Sequence, residues 1–402
     1  MKDLQQYYNE LDRECISILN WWMEHAIDLS NGGFYGKINN NNEVIEGSPK
    51  GSVLNSRILW TFSAAYHHYK NPVYLHTATR AFEYLNRHFI DLEFGGVYWS
   101  VDAFGKPLDT KKQVYAIAFA LYGTSEYYLA SGDEKALQTA TSLYNAIEEH
   151  SRDKIKGGYL EAFSREWNDL PDLRLSAKDS NEKKTMNTHL HVLEAYANLY
   201  KAWPNAKLKE DITELLQLFK KHFIDAETGH LILFFNEDWQ PKHGLISYGH
   251  DIEAAWLLQE AAIIIGDKDL IEEIKHLSEK LAISAARGLD IDGGLWYERD
   301  ITSNHLIEEK HWWPQAEAMV GFYNVWANTG QPSYLQHSLN SWAFTQEYIL
   351  DKQRGEWYWG IKEDYSIMPG EDKAGLWKCP YHNGRACLEL MKRIQSNITA
   401  TS

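Results

Sequence analysis

Residues 91–98 read Asp-Leu-Glu-Phe-Gly-Gly-Val-Tyr, a turn signal closed by a short apolar and aromatic run. The same phrase, an Asp followed four or five residues later by Gly and then by such a run, occurs six times. The copies are Asp28…Gly33-Phe34-Tyr35, Asp91…Gly96-Val97-Tyr98, Asp153…Gly158-Tyr159-Leu160, Asp225…Gly229-His230-Leu231, Asp290…Gly294-Leu295-Trp296 and Asp351…Gly355-Glu356-Trp357. Successive glycines lie 63, 62, 71, 65 and 61 residues apart. One such turn is commonplace, but six at nearly constant spacing mark a repeat.

Working outward, each copy is preceded by apolar residues at helical spacing, as in Ala81-Phe82-Leu85-Phe89 and Leu215-Leu216-Phe219-Phe223. These predict helices ending at the turn. Each copy is followed by a brief strand-like segment, a polar loop and an Ala/Leu-rich helix such as Val114 to Ala130 or Ile252 to Ile265. The unit is therefore a helix pair. Six pairs fit a closed toroid of six inner and six outer helices, in which each pair buries its apolar face on its neighbours. An open superhelical solenoid is the competing architecture. Closure is favoured because the repeat count is six and both ends of the chain carry ordinary repeats without an obvious polar cap. On this reading residues 1–402 form one domain, not the two or three that length alone suggests.

Composition narrows the function classes. With 44% hydrophobic and 24% charged residues the chain can bury a large core. Its net charge of −16, from 56 acidic and 40 basic residues, argues against a nucleic-acid or anionic-membrane surface. The three cysteines, Cys15, Cys379 and Cys387, offer neither a disulfide framework nor thiolate metal spacing. The opening Met-Lys-Asp-Leu-Gln-Gln-Tyr-Tyr lacks the apolar centre of a signal peptide, and no apolar run approaches membrane-spanning length, so a cytoplasmic protein is expected. The 16 Trp and 24 Tyr point to an aromatic-lined cavity, although large cores also use such rings.

Register converts the repeat into a site. Equivalent repeats should gather the residues at comparable distance past each glycine at one end of the toroid. Counting on reaches Arg57 after 24 residues, Tyr115 after 19, His191 after 33, His250 after 21, Trp313 after 19 and His382 after 27. The surplus in the third repeat falls in the polar loop from Asp169 to Lys184. All six lie near the starts of inner helices, where free N–H groups and the positive dipole end disfavour an imidazolium. Pro380 places His382 in a first helical turn. His189 and His191 point roughly 200° apart on a helix, so one of them faces the centre. His191 is chosen because it stacks on Asn187 and sits three residues before Glu194, a spacing repeated by His250 and Glu253; a carboxylate there can orient the imidazole.

Simpler readings stand beside these. A single His in a chain with 17 is more often structural, and His189 keeps the role of a packing residue. Arg57 is as well suited to pairing with a carboxylate as to holding an anion. Trp296, Trp312, Trp313, Trp357, Trp359 and Trp377 fit either a core or a sugar-stacking surface. Glu317, four residues after Trp313, either faces the cavity or forms a salt bridge within it.

Six segments carry a family resemblance: Asn55-Ser56-Arg57, Lys112-Gln113-Val114-Tyr115-Ala116, Met186-Asn187-Thr188-His189-Leu190-His191-Val192-Leu193-Glu194, Gly249-His250-Asp251-Ile252-Glu253, Trp312-Trp313-Pro314-Gln315-Ala316-Glu317 and Trp377-Lys378-Cys379-Pro380-Tyr381-His382-Asn383. Together they resemble the N-acetylglucosamine 2-epimerase superfamily and, through the Trp-Lys-Cys-Pro-Tyr-His run, its cellobiose 2-epimerases. The resemblance implies an all-α (α/α)6 barrel and reversible inversion at C2 of the reducing-end glucose in β-1,4-linked disaccharides. By position it implies His250 and His382 as the acid/base pair, His191 as a third histidine and Arg57 as the active-site arginine. Asn187, Glu253, Tyr115, Trp313 and Trp377 match sugar-contacting residues, and Glu317 a nearby acid.

The chemistry agrees with these residue types. Ring opening to the aldehyde acidifies the C2 proton, which then leaves from one face and returns to the other. Imidazoles, which gain and lose a proton near neutral pH, suit that exchange, and Arg57 offers a fixed cation for a cis-enediolate. No cofactor is expected, since the glycine turns lack the strand-then-helix context of a nucleotide loop. The expected partner is a small disaccharide, and monomer and homodimer both remain open. Rival readings are N-acetylglucosamine epimerisation, an aldose–ketose isomerase of the mannose type, a hydride-shift isomerase with a metal held by His191, His250, Glu253 and His382, a glycoside hydrolase using Glu253 and Glu317, and a non-catalytic glycan-binding protein.

Overall fold

The computed structural model describes residues 4–242 and 244–401. Among the described residues twelve α-helices follow one another in the order α1 (Leu4–His25), α2 (Ser52–Tyr69), α3 (Pro72–Tyr84), α4 (Val114–Ser131), α5 (Glu134–Ala146), α6 (Met186–Ala202), α7 (Ala206–Leu218), α8 (Tyr248–Ile265), α9 (Lys268–Ala286), α10 (Trp312–Thr329), α11 (Pro332–Phe344) and α12 (Tyr381–Thr401). Even-numbered helices form an inner ring in which each packs on the next, and α12 packs on both α10 and α2. That last contact closes the ring, so the architecture is the (α/α)6 barrel and not the open solenoid.

Sequence separates the two rings. From Val114 through Tyr127 every residue of α4 is buried, which is why an inner helix is apolar on all sides. An outer helix needs one stripe only: α5 buries Ala136, Ala140, Leu143 and Tyr144 and leaves its other face to water. Side chains of Asn71, Asp133, Asn205 and Asp267 accept the first free amides of α3, α5, α7 and α9. Inner helices α4, α8 and α10 end on Gly132, Gly266 and Gly330 at φ of 71°, 71° and 70°, the left-handed geometry that turns the chain straight back into the outer helix.

Outer helices α3, α5, α7 and α11 do not run as α-helix up to the turn. They finish in π-helical turns at Leu85–Phe89, Ile147–Ser151, Phe219–Phe223 and Thr345–Ile349. The wider turn sends the amide of Ile90 back five residues to the Leu85 carbonyl at 3.2 Å, and this releases the chain into an antiparallel hairpin. The repeated motif is that hairpin, bridged at Ile27 with Phe34, Ile90 with Val97, Arg152 with Tyr159, Ile224 with Leu231, Leu289 with Leu295 and Leu350 with Trp357.

The repeated Asp has two tasks. One oxygen accepts amides within the turn, as Asp91 Oδ1 does from Glu93 and Phe94. The other accepts a lysine, placed two residues ahead of the next inner helix in four cases, Lys50 to Asp28 at 2.8 Å, Lys112 to Asp91 at 2.8 Å, Lys184 to Asp153 at 2.9 Å and Lys310 to Asp290 at 2.6 Å, and further upstream in the sixth repeat, where Lys373 reaches Asp351 at 2.7 Å. The fourth repeat departs from this, with Ile246 at the lysine position. There His230 Nδ1 and Asp251 Oδ2, 2.6 Å apart, tie the hairpin to α8 instead.

Strands of two or three residues link neighbouring repeats around the N-terminal ends of the inner helices, as Lys112-Gln113 with Ala162-Phe163. The polar surplus of the third repeat lies over this end of the barrel, with Leu173 through Ser180 lining its cavity. Among the described residues no helix is long and apolar enough to cross a membrane. The three cysteines are buried and unbridged.

Candidate active site

A cavity of about 460 Å³ opens where the inner helices begin. Arg57, Tyr115, Asn187, His191, His250, Glu253, Trp313, Trp377 and His382 all line it, so nine of the ten expected residues meet. Glu317 is the exception and lies beneath the floor. Six parallel helix N-termini aim positive dipole ends at this volume, which favours negative charge developing inside it.

Each histidine is held at Nδ1 by a different partner. His191 pairs with Glu194 Oε2 at 2.9 Å, as the three-residue spacing predicts. His382 pairs with Glu317 Oε1 at 2.7 Å, which explains why Glu317 does not face the cavity. The expected pairing of His250 with Glu253 does not form. His250 Nδ1 meets Ser247 Oγ at 2.8 Å, while Glu253 accepts a hydrogen bond from Arg385 at 2.9 Å. Ser247 is the N-cap residue of α8, and its hydroxyl is turned onto the imidazole at the third helical position instead of onto a backbone amide. Gly249 completes the arrangement, since a Cβ there would lie 2.6 Å from the Trp313 ring that packs 4.7 Å from His250.

Burial keeps all three imidazoles neutral. It pushes His250 down to about 3 and His382 well below the ordinary histidine value, with Arg57 and Arg385 adding to the fall for His382. Burial also lowers His191, against the opposing pull of Glu194. The expected helix-dipole effect has the same sign, but desolvation leads. His189 is the packing residue: one nitrogen faces the Thr185 carbonyl at 2.7 Å, the other accepts the Tyr159 amide at 2.9 Å, and burial drives it to about 3.

Arg57 has no carboxylate partner among the described residues, so of its two readings the ion pair is set aside. Its guanidinium donates to Tyr115 Oη at 2.7 Å and lies 4.1 Å from the Phe119 ring centre and 4.8 Å from that of Tyr381. Its buried Nε has no protein partner, and neither does Asn187 Oδ1. A cation held by rings and a phenol keeps its charge uncompensated and available to a ligand. The tryptophans divide: Trp312, Trp313, Trp359 and Trp377 line the cavity, whereas Trp357 is fully buried and bonded to Glu14.

The sequence profile of the N-acylglucosamine 2-epimerase (GlcNAc 2-epimerase) family matches residues 33–386. The chain belongs to this family. It is 51% identical to a cellobiose 2-epimerase of Bacteroides fragilis, covering 95% of this chain and 98% of that protein. A cellobiose 2-epimerase of Dictyoglomus turgidum is 39% identical, with 94% and 96% covered. The solved cellobiose 2-epimerase of Bacillus thermoamylovorans B4167 superposes with a TM-score of 0.93 at 38% identity over 97% of this chain and 100% of that one. Membership of the family makes the protein an epimerase-type isomerase.

Two rival readings lose their geometry. A hydrolase pair needs two carboxylates facing each other across the cavity, and Glu317 is turned away under His382. A metal held by Glu253 and its neighbours meets Arg385, whose Nη2 already lies 2.9 Å from Glu253 and 2.6 Å from Glu317. Arg385 is also the main residue that sequence reasoning overlooked. Its only trace there is a charged residue one turn past His382 on an inner helix that also carries Glu389, Lys392 and Arg393. Glu161, Tyr297 and His311 line the cavity as well, and their repeat register gives no hint of it.

Proposed function

We propose that this protein inverts C2 of the reducing-end glucose in β-1,4-linked disaccharides, converting cellobiose to glucosyl-mannose and lactose to epilactose, without a cofactor. The observation that carries the reading is the pair of imidazoles, His250 and His382, both packed near Trp313 in one cavity with a guanidinium that has no carboxylate partner among the described residues. The 51% identical Bacteroides fragilis relative supports the choice of substrate.

On this reading the sugar opens to its aldehyde, with one imidazole moving the ring proton, and the C2 hydrogen becomes acidic. His382, donating from Nδ1 to Glu317, offers Nε2 as base; the imidazolium that forms is stabilised by the carboxylate behind it. Arg57 holds the cis-enediolate oxygens, and the inner-helix N-termini add to the field. His250, once it has taken up a proton from solvent, delivers it to the opposite face of C2, and His382 returns the abstracted proton to solvent. Ser247 can accept from or donate to its Nδ1, so His250 can serve in either protonation state. Reversal exchanges the two roles.

Burial and the neighbouring Glu317 raise Glu253 to about 8, so it carries a proton at neutral pH. With Oε1 engaged by Arg385, the other oxygen acts as a hydroxyl donor to the sugar. The whole chain serves as one catalytic domain, and its free thiols suit the cytoplasm. Incubation with cellobiose in heavy water tests the reading. The expected product has mannose at the reducing end with deuterium at C2, whereas fructose there, free glucose, or inversion without deuterium would each overturn it.

A further inference from the structure

Beneath His382 four inner helices meet at one guanidinium. Arg385, 1% exposed, lies one turn after His382 on α12. Its Nη1 donates to Glu194 of α6 and to the Tyr381 hydroxyl; its Nη2 donates to Glu253 of α8 at 2.9 Å and to Glu317 of α10 at 2.6 Å. The guanidinium is clamped between the rings of Tyr381, 4.1 Å away, and Trp256, 4.7 Å away. Glu194 and Glu317 are the carboxylates that hold His191 and His382. One cation therefore serves the support of two histidines, and three buried carboxyl groups meet on it.

We propose that Arg385 is a positioning residue: it keeps Glu317 and Glu194 ionised, so that each accepts the Nδ1 proton of its histidine and the two imidazoles present a bare Nε2 to the cavity. This rests on the reading of His382 as an acid/base group. Glu317 receives Arg385 at Oε1 and the Trp256 indole N–H at Oε2, 2.9 Å away, and neither of these groups can accept a proton. Of the groups bonded to Glu317, the one that can take its proton is His382 Nδ1. The imidazole would then carry its hydrogen on Nε2 and lose the lone pair that takes the C2 proton.

Charges on every packed element bear on this balance. Arg57 of α2 approaches His382 from one side, and Tyr115 and Tyr122 of α4 lie beside Arg57 and Tyr381. His191, His250 and Glu253 surround the floor, and Glu389 lies deeper along α12. Of these, the cation that bonds Glu317 directly is Arg385. Burial and the neighbouring Glu194 already push Glu317 up against the pull of Arg385, and removal of that cation takes away the strongest opposition to them.

The test measures cellobiose turnover and C2 deuteration for wild type, R385M, R385K, E317Q, R385M/E317Q and H382N across the range where carboxylates titrate. R385M should lose about 100-fold in kcat at neutral pH, with KM changed less than about threefold, and recover as pH rises and Glu317 ionises. R385K, which keeps the charge, should stay within about tenfold of wild type, with its acid limb displaced upward because one ammonium serves fewer carboxylates. E317Q keeps an acceptor for Nδ1 and should lose roughly 10- to 100-fold with no such limb, and the double variant should fall no further. A pH-independent loss in R385M, or multiplied losses in the double variant, would overturn the inference. If R385M does not fold, an undisplaced acid limb in R385K overturns it. H382N that still exchanges the C2 proton of cellobiose, the epimer His382 deprotonates, sinks the functional reading and this inference with it; an H382N without exchange from cellobiose beside a flat R385M profile sinks the inference alone.

Discussion

The fourth and sixth repeats each supply, from the first turn of an inner helix, one of the two histidines proposed as acid/base groups, yet they hold it by opposite means. In the sixth repeat, Lys373 bonds Asp351 and Lys378 bonds Glu356, all buried, and His382 stands on Glu317 and Arg385. The fourth repeat has Ile246 where the other hairpins send a lysine, and His250 stands on a serine hydroxyl. Repeat symmetry delivers two imidazoles to one cavity, and the departures from it make them different. One is backed by charge and suited to becoming an imidazolium; the other is backed by a group that accepts or donates.

The comparison can be broken most directly at the histidines. H382N and H250N should each lower turnover by about 10³-fold, the scale of general acid–base catalysis. The asymmetry shows in solvent exchange at C2, measured separately from the gluco and manno epimers: each variant should retain exchange from one epimer only. Equal loss from both would mean that the two histidines do not act on opposite faces. As the proposed holder of the enediolate Arg57 would serve both directions, so R57A should lower forward and reverse turnover alike by about a hundredfold or more, the value of a lost oxyanion donor. An effect on one direction alone would break that symmetry.

A smaller effect is expected behind His250. Loss of a neutral hydrogen bond is worth about 1 kcal/mol, so S247A should lower kcat roughly fivefold. A loss as large as that of E317Q would mean that the two supports are equivalent after all. At neutral pH the smallest change belongs to Glu253. Its carboxyl holds a proton up to about 8, so the wild-type rate should decline as pH rises through that value, and E253Q, which keeps a donor, should lack the decline. Between the ordinary carboxylate value and about 8 the folded chain holds a proton that the unfolded chain has released. The stabilisation from Glu253 is therefore fully present below that window and lost as pH rises through it, which thermal melts of wild type and E253Q across the window would reveal.

Much of this site was legible from register. Counting from the six glycines led to Arg57, Tyr115, His191, His250, Trp313 and His382 because equivalent residues of a closed ring must share an end. His191 with Glu194 was legible because both lie on one helix at fixed spacing. The same logic failed for His250 and Glu253: Glu253 is drawn to Arg385 of another helix, and a local spacing cannot weigh a partner 132 residues away. Glu317 was ambiguous for a related reason, since its role depends on which face of α10 meets α12.

The sequence by itself determined the repeat, the helix pairs and the end of the barrel where chemistry gathers, because periodicity and turn chemistry are local and are stated six times over. Tertiary structure decided the rest. It closed the ring through α12 and α2, placed a buried lysine on five of the six turn aspartates, and brought three carboxyl groups from separate inner helices onto Arg385. Those choices depend on how far apart the inner helices stand and on how a buried charge finds its partner. Both are properties of the assembled core and not of any one segment.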